Sequence, residues 1–289
     1  MSELKEKYIN PFTDFGFKKI FGEEPNKDLL IDFLNELLRQ NEGEITELTY
    51  SKNDKTGSLA SDRSAIFDLY CINQDGERFI VEMQKTEQAF FKERALYYST
   101  FPIQEQAQKG EWNFELKAVY TIGILNFSFN EDEDDDKIRH EVKLTDIDTK
   151  EVFHDKFTFI YLTMDKFNKK AHELETRFEK WLYLLKNLHK LERLPDELKE
   201  DVFEKVAEVA MVANLTREQF NEYQKSVKVY RDLNNVLNHS YSKGVEKGGN
   251  QKEISFVLRL YEKGKSVEEI ADLIGLSVEK VEQILKDNS

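Results

Sequence analysis

Cysteine is nearly absent from this sequence, in which Cys71 is the one cysteine among 289 residues. A single cysteine excludes an intrachain disulfide and favours a reducing compartment, so the cytoplasm is the expected location. The five histidines show no ligand spacing, so a zinc site built on Cys and His is excluded as well. Cys71 stands among apolar neighbours in a predicted strand, which indicates a small core residue rather than a nucleophile.

Long apolar runs are also missing. No stretch approaches the roughly 18 to 20 apolar residues that a membrane-spanning helix needs. The first residues, Met1 to Lys5, lack the apolar segment of a secretory signal. Hydrophobic residues nevertheless make up 39% of the chain and aromatic residues 12%, enough for a sizeable core. The length predicts one large domain and a small one. The lack of long apolar runs predicts that the chain has no membrane partner.

Positive charge is scarce, because 42 Lys and Arg face 56 Asp and Glu and leave a net charge of −14. This balance opposes nucleic-acid binding, which depends on cations that neutralise phosphates. A DNA enzyme of this composition would need local basic patches, or metal ions between its carboxylates and the phosphates. Residues 131–136 are all acidic, a pattern that favours a solvated loop between strands over a cation site.

The hydrophobic pattern changes its period along the chain. Helical spacing over residues 14–38 gives way to alternating strands, and a helix at 86–109 separates two groups of them. The predicted strands cover residues 45–50, 64–73, 77–84, 116–129, 140–144 and 157–162. This order predicts an α/β fold with a mixed central sheet flanked by helices.

The same pattern predicts the domain boundaries. Residues 1–165 form the predicted α/β core, and 166–240 an all-helical extension packed on it. Residues 241–251 hold three glycines and no apolar periodicity, which indicates a linker. Residues 252–289 form a small helical module.

The most informative segment is a predicted β-hairpin at residues 65–85, in which Asp75-Gly76 separates two apolar runs. If the loop consists of three residues ending in a left-handed Gly76, Asp68 lies directly opposite Glu82 and both carboxylates share one sheet face. A loop of two or four residues would send them to opposite faces. The predicted hairpin geometry is therefore specific.

Both faces of this hairpin are otherwise apolar, which predicts central strands. The residues assigned to the acid face are Ile66, Tyr70, Ile72 and Ile80, and those assigned to the opposite face are Phe67, Leu69, Cys71, Phe79, Val81 and Met83. Carboxylates in such strands are costly unless they are compensated. Mg²⁺ would compensate them directly. The alternative is that Asp68 and Glu82 lie at the edge of the sheet or pair with Arg63, Arg78 or Arg94.

Several motifs together resemble a known family. They are the opening Asn10-Pro11-Phe12-Thr13-Asp14-Phe15-Gly16-Phe17-Lys18-Lys19-Ile20-Phe21-Gly22, then Asp68, Val81-Glu82-Met83-Gln84, Arg94 with Tyr97 and Tyr98, the strand at 119–127, and Met164-Asp165-Lys166-Phe167. In this order they resemble the PD-(D/E)XK nucleases, and more narrowly the Rpn family of recombination-promoting nucleases and transposases. The resemblance covers roughly residues 8–240.

The resemblance implies an αβββαβ nuclease core that cuts double-stranded DNA with Mg²⁺, or Mn²⁺ in its place, and so promotes recombination or transposition. Asp68, Glu82 and Gln84 take the catalytic positions, and the main-chain carbonyl of Met83 adds a metal ligand. Asp14 is a further candidate ligand, or else a helix cap. A catalytically inactive scaffold that binds DNA or protein is the alternative function.

Two positions depart from the class pattern: Phe67 replaces proline, and Gln84 replaces lysine, as it tends to do in the resembling family. Gln84 can orient a water molecule but cannot supply positive charge. Lys85 ranks below it, because alternation along a strand turns Lys85 away from Glu82.

Candidate substrate-binding residues are Arg94, Tyr98, Lys85 and Lys18. Arg94, Tyr97 and Tyr98 share one face of the predicted helix. Arg94 is equally suited to hold a phosphate or to pair with a nearby acid.

The C-terminal module, with helices at 266–274 and 277–285, resembles a helix-turn-helix of the resolvase or sigma-factor kind. The helix that would enter the major groove carries two acids and no arginine; its polar residues are Glu279, Lys280, Glu282, Gln283 and Lys286. Because acids repel phosphates, a packing or oligomerisation role is favoured over DNA binding. The sequence leaves the oligomeric state open, and a homo-oligomer is compatible with it.

Overall fold

The structure is a computed structural model that describes residues 6–38, 43–51, 54–55, 65–86, 90–107, 113–129, 136–274 and 276–287. The acidic run at 131–136 lies outside these ranges except for Asp136. The chain divides into two compact units, Met1–Tyr230 and Arg231–Ser289. None of the described helices is long and apolar enough to cross a membrane.

The first unit begins with the helices α1 (Asp14–Phe21) and α2 (Lys27–Leu38). Thr13 caps α1, and its hydroxyl accepts a hydrogen bond from the amide of Gly16 at 3.0 Å. A side chain at Gly16 is excluded, because a Cβ atom there would lie 2.1 Å from the carbonyl oxygen of Asn10. The turn before α1 therefore depends on a close backbone approach.

Six strands form a mixed sheet in the order β1-β4-β5-β6-β8-β7, and β2 pairs with β3 in a separate ribbon. The strands are β1 (Leu48–Tyr50), β2 (Asp54–Lys55), β3 (Ala65–Ile66), β4 (Leu69–Asn73), β5 (Arg78–Gln84), β6 (Val119–Leu125), β7 (Arg139–Thr145) and β8 (Val152–Thr163). β5, β6 and β8 are parallel, and the other pairs in the sheet are antiparallel. The helix α3 (Phe91–Gln104) connects β5 to β6. β4 and β5 are interior strands, as their two apolar faces predict.

Helices cover both faces of the sheet. One face shares the larger core with α1, α2, α4 (Arg177–Asn187) and α5 (Asp201–Val209), in which the buried Trp181 contacts the rings of Phe21, Phe33 and Phe203. On the other face, Phe91 of α3 packs against sheet residues. Cys71 lies fully buried, where desolvation raises the pKa of its thiol to about 12. The predicted α/β fold, a mixed central sheet flanked by helices, is confirmed.

Phe67 lies on the face opposite to the one predicted for it. Alternation along an unbroken strand would place Phe67 with Leu69. The strand is instead interrupted between β3 and β4, at Phe67 and Asp68, and Phe67 packs against Tyr70 and Ile80. The prediction for Phe67 is wrong because side chains alternate only where the pleat is continuous.

The predicted linker at 241–251 is also wrong in its secondary structure. The helix α6 (Arg217–Glu262) passes through it, and the division between the two units falls within α6, after Tyr230. A capping box opens α6, with reciprocal hydrogen bonds between Thr216 and Gln219 of 3.1 and 3.2 Å. Glycine weakens a helix by roughly 1 kcal/mol relative to alanine but still adopts helical dihedral angles, so glycines alone do not end one.

The second unit has its own small core, formed by Val257, Ile270, Ala271 and Val281. It contains α7 (Val267–Ile274) and α8 (Val278–Asp287). A capping box precedes α7: Ser266 and Glu269 exchange hydrogen bonds of 3.0 and 3.2 Å. The polar residues of α8 that the helix-turn-helix interpretation assigns to the DNA side are all exposed.

Candidate active site

The loop between β4 and β5 has the predicted three residues. The amide of Asn73 donates to the carbonyl of Glu77 at 3.0 Å, and Gly76 adopts a left-handed φ of +80°. The two strands keep the register that this loop sets. The first pair of the two strands is Leu69 with Val81. Extending this register to the residue before Leu69 sets Asp68 opposite Glu82, so the predicted register is confirmed.

A main-chain hydrogen bond fixes the side chain of Asp68. Its Oδ2 accepts the amide proton of Met83 at 2.9 Å. In a continuous ladder that amide would meet the carbonyl of residue 67, so the carboxylate replaces a strand partner where β4 has not yet begun. Burial raises the pKa of Asp68, while the Met83 amide and the ammonium of Lys18 act in the opposite direction.

Glu82 is a buried carboxyl group with only 8% of its surface exposed. Burial raises its pKa to about 7, and the negative charge of Asp68 contributes in the same direction. A divalent cation would offset this effect, because it favours the ionised form of both carboxyl groups. Two carboxylates at opposed positions of the hairpin are a donor set that suits Mg²⁺, which keeps water and substrate phosphates as its remaining ligands. The residues present therefore fit such an ion.

Gln84 links Glu82 to the guanidinium of Arg94. Its Nε2 donates to Oε2 of Glu82 at 3.2 Å, and its Oε1 accepts from Nη2 of Arg94 at 3.1 Å. The guanidinium of Arg94 in turn lowers the pKa of Glu82. Arg78 instead donates to the carbonyl of Gly76 at 2.6 Å, at the loop end of the hairpin, and Arg63 lies outside the described residues.

Comparison with known proteins identifies the family of the chain. The model of a family described as PD-(D/E)XK nuclease family transposase matches residues 11–240, which include every residue of the acid pair and its neighbours. The chain belongs to this family. Searches among curated proteins and among solved structures found no match. The resemblance inferred from the motifs and the fold that it implies are confirmed, and a nuclease-like function is supported.

In this PD-(D/E)XK protein the negative charge of Asp14 acts on the acid pair and raises the pKa of Asp68. Within the described ranges, no group of three or more His, Cys, Asp and Glu side chains is placed to hold a metal ion. Asp14 forms a salt bridge of 2.8 Å with Lys18. It does not cap α1 either, since Thr13 is the N-cap. Among the described residues, Asp68 and Glu82 therefore form no metal-holding group with a third acidic side chain.

Lys85 follows Gln84 in the chain and is half-buried. Burial lowers the pKa of Lys85, and the negative charges of Asp14 and Asp68 act in the opposite direction. Its Nζ lies 6.0 Å from the ring centre of Tyr230. Lys85 is therefore held on the side of the acid pair where α1 begins, whereas Gln84 contacts Glu82.

The two tyrosines of α3 differ in their surroundings. Tyr98 packs edge-on against Phe67, with ring centres 5.7 Å apart, and joins the small aromatic cluster beneath α3. Tyr97 is 42% exposed and contacts Phe101. Arg94 is the residue of this predicted helix face that reaches the acid pair through Gln84.

The structure adds an element that the sequence did not associate with the nuclease motifs. A cavity of about 590 Å³ lies beside Asp14, Lys18 and Lys85, and α6 forms one of its walls. The α6 residues are Glu222, Lys225, Ser226 and Val229. Their spacing marks one helix face, but nothing in the sequence indicates which surface that face would adjoin.

Proposed function

We propose that this chain is a metal-dependent DNA endonuclease that hydrolyses phosphodiester bonds. Asp68, Glu82 and the main-chain carbonyl of Met83 would hold Mg²⁺, or Mn²⁺ in its place. Such an ion supplies an activated water molecule and stabilises negative charge on the phosphate. The observation that carries the proposal is the interacting pair of carboxyl groups, the buried Glu82 and the half-buried Asp68, at opposed positions of the central hairpin in a chain that belongs to a nuclease family.

The side chains divide the remaining work. Gln84 positions the acid pair, since its amide group donates to Glu82 and accepts from Arg94. The positive charge that the class normally carries on lysine is supplied here by Arg94, which stabilises the charge that develops on the phosphate. Tyr98, Lys85 and Lys18 contact the DNA around the scissile bond. DNA breaks made in this way would promote recombination or transposition as a consequence.

The test is cleavage of supercoiled plasmid DNA with Mg²⁺, with Mn²⁺ and with EDTA. Asp68→Asn and Glu82→Gln keep the size of each side chain and remove its charge, so we expect both variants to lose at least 100-fold in the rate of cleavage. Each loses a charged metal ligand, and ligand loss acts directly on the chemical step. Asp75→Asn is the matched control, because Asp75 lies exposed in the loop of the same hairpin; it should cut at the wild-type rate.

Two results would contradict the proposal. One is a purified wild-type protein that cuts no DNA with either ion. The other is cleavage by Asp68→Asn and Glu82→Gln at the control rate, which would assign the activity to a contaminant. Either result would favour the alternative, a nuclease-like scaffold that binds DNA or protein without cutting.

A further inference from the structure

The cavity beside the acid pair is formed by three parts of the first unit. α1 and α6 form two walls, and Leu69 and Lys85 from the hairpin form the third. A hydrogen bond of 3.2 Å from the amide of Phe15 to the hydroxyl of Ser226 holds α6 against the start of α1. The volume of about 590 Å³ and the open shape suit a segment of an extended ligand.

Lysines are concentrated at this cavity, although the whole chain carries a net charge of −14. Its lining contains four lysines and three acids; they are Lys18, Lys19, Lys85 and Lys225, with Asp14, Glu23 and Glu222. Two of the lysines are neutralised within the protein, by salt bridges of 2.8 Å to Asp14 and 2.9 Å to Glu23. Within the described part of the chain, Lys85 and Lys225 have no such salt bridge.

The position of these two lysines relates them to the acid pair. Lys85 directly follows β5, which carries Glu82 and Gln84, and Leu69 in the cavity wall directly follows Asp68. The charges of Lys18 and Lys85 act on Asp68, so Asp68 is the carboxyl group of the pair that an anionic chain lying in the cavity would approach. Lys225 lies further along the wall, on α6.

We propose that this cavity binds the backbone phosphates of the DNA strand next to the bond that is cut, with Lys85 and Lys225 as the phosphate ligands. A lysine ammonium binds a phosphate through charge and hydrogen bonds, without reading the base. The site thereby supplies the local basic patch that an acidic chain needs to hold DNA. The inference rests on the proposed endonuclease function, because it assigns the occupant as the substrate of that site.

The experiment measures the affinity for a short DNA duplex at several salt concentrations in EDTA, where no cleavage occurs. Each lysine that neutralises one phosphate contributes about 0.9 to the slope of log K against log salt concentration. Lys85→Gln and Lys225→Gln should each lower the slope by about that amount, which corresponds to a loss of affinity of roughly eightfold at 0.1 M salt. The loss should be the same for duplexes of different sequence.

Matched controls lie on the same elements. Lys228→Gln removes an exposed lysine of α6 that does not line the cavity, and it should leave the slope unchanged. Glu222→Gln removes an acid of the cavity wall and should tighten binding.

The binding and cleavage measurements distinguish a wrong cavity assignment from a wrong endonuclease proposal. If Lys85→Gln and Lys225→Gln bind DNA with the wild-type slope while Asp68→Asn abolishes cleavage, the cavity assignment is overturned and the endonuclease stands. If the lysine variants lower the slope and the protein cuts nothing, the cavity is a DNA site on an inactive scaffold.

Discussion

Glu82, a proposed metal ligand, has a strongly raised pKa in the metal-free protein. A glutamate ionises readily in water, but burial and the charge of Asp68 raise the pKa of Glu82 to about 7. Near neutral pH and without a metal ion, its carboxyl group is then protonated in a large fraction of molecules. Gln84 and Arg94 favour the ionised form without fully offsetting burial. A cation bound to both acids would complete the compensation.

This environment predicts a pH dependence of stability for the metal-free protein. A group whose pKa is raised on folding contributes stability that is present below its unfolded pKa and is lost as the pH rises through its folded pKa. For Glu82 the window runs from the ordinary glutamate pKa of 4.5 to a pKa of about 7. Over it the free energy of unfolding should fall by up to about 3 kcal/mol. Denaturation in EDTA at pH 5 and pH 8 measures this loss.

Glu82→Gln separates this effect from every other titration in the chain. The variant cannot ionise at this position. Its free energy of unfolding should therefore rise relative to that of the wild type between pH 5 and pH 8. Added Mg²⁺ should stabilise the wild type at pH 8 more than the variant. A difference that stays constant with pH would show that Glu82 ionises normally.

At the scale of elements, the opening motif at residues 10–22 determines the local structure in addition to resembling the family. The carbonyl of Asn10 accepts hydrogen bonds from the amide and the hydroxyl of Thr13 at 3.1 and 2.7 Å. Gly16 then passes so close to that carbonyl that no side chain fits between them. The motif thus sets where α1 begins, and α1 carries the wall of the cavity that contains Lys18.

Gly16→Ala should therefore destabilise the protein strongly. Its Cβ atom would lie 2.1 Å from the carbonyl oxygen of Asn10, a backbone atom that cannot move without displacing the capped turn. We expect a loss of about 3 kcal/mol or more in the free energy of unfolding, at the upper end of the usual cost of overpacking. Chemical denaturation measures it.

Gly43→Ala is the control for this substitution. Nothing lies within 4 Å of a Cβ atom built at Gly43, so its effect should stay within about 0.5 kcal/mol. Equal effects of the two substitutions would show that the turn before α1 accommodates a side chain.

The hairpin was predictable because its register depends on local sequence. Asp75-Gly76 fixes the turn, the turn fixes the loop length, and the loop length sets Asp68 opposite Glu82. The site residues that the sequence missed depend instead on distant contacts. The α6 face with Lys225 approaches α1 through the contact between Phe15 and Ser226, which are 211 positions apart.

The two errors have a common origin in local rules applied beyond their range. Phe67 was assigned by alternation across a break in the strand that only the tertiary structure shows. The glycines at 241–251 predict a linker, although a helix tolerates them at modest cost. In both cases the local sequence pattern exists, and tertiary packing determines which structure it adopts.

At the scale of the whole molecule, net charge is a poor guide to the partner. A balance of −14 opposes DNA binding on average. The charges are not distributed evenly, however: two lysines without a salt bridge in the described chain line a cavity next to the acid pair. Acidic residues elsewhere keep the chain from binding DNA along its whole surface, so the expected contact is short and local.

The second unit, Arg231–Ser289, provides the last prediction. The exposed polar residues of α8 that the helix-turn-helix interpretation turns towards DNA are two glutamates, two lysines and a glutamine, so they bring no net positive charge. We expect Ile270→Asp, which puts a charge into the core of this unit, to disrupt α7 and α8 while DNA affinity stays within about twofold of wild type. Hydrogen exchange of the two helices verifies the disruption, and DNA titration measures the affinity. Lys280→Gln, which leaves the core intact, should give the wild-type salt slope, in contrast to Lys225→Gln. A tenfold loss of affinity in Ile270→Asp, together with a lowered slope in Lys280→Gln, would instead make α8 a DNA-binding helix and the second unit part of the substrate site.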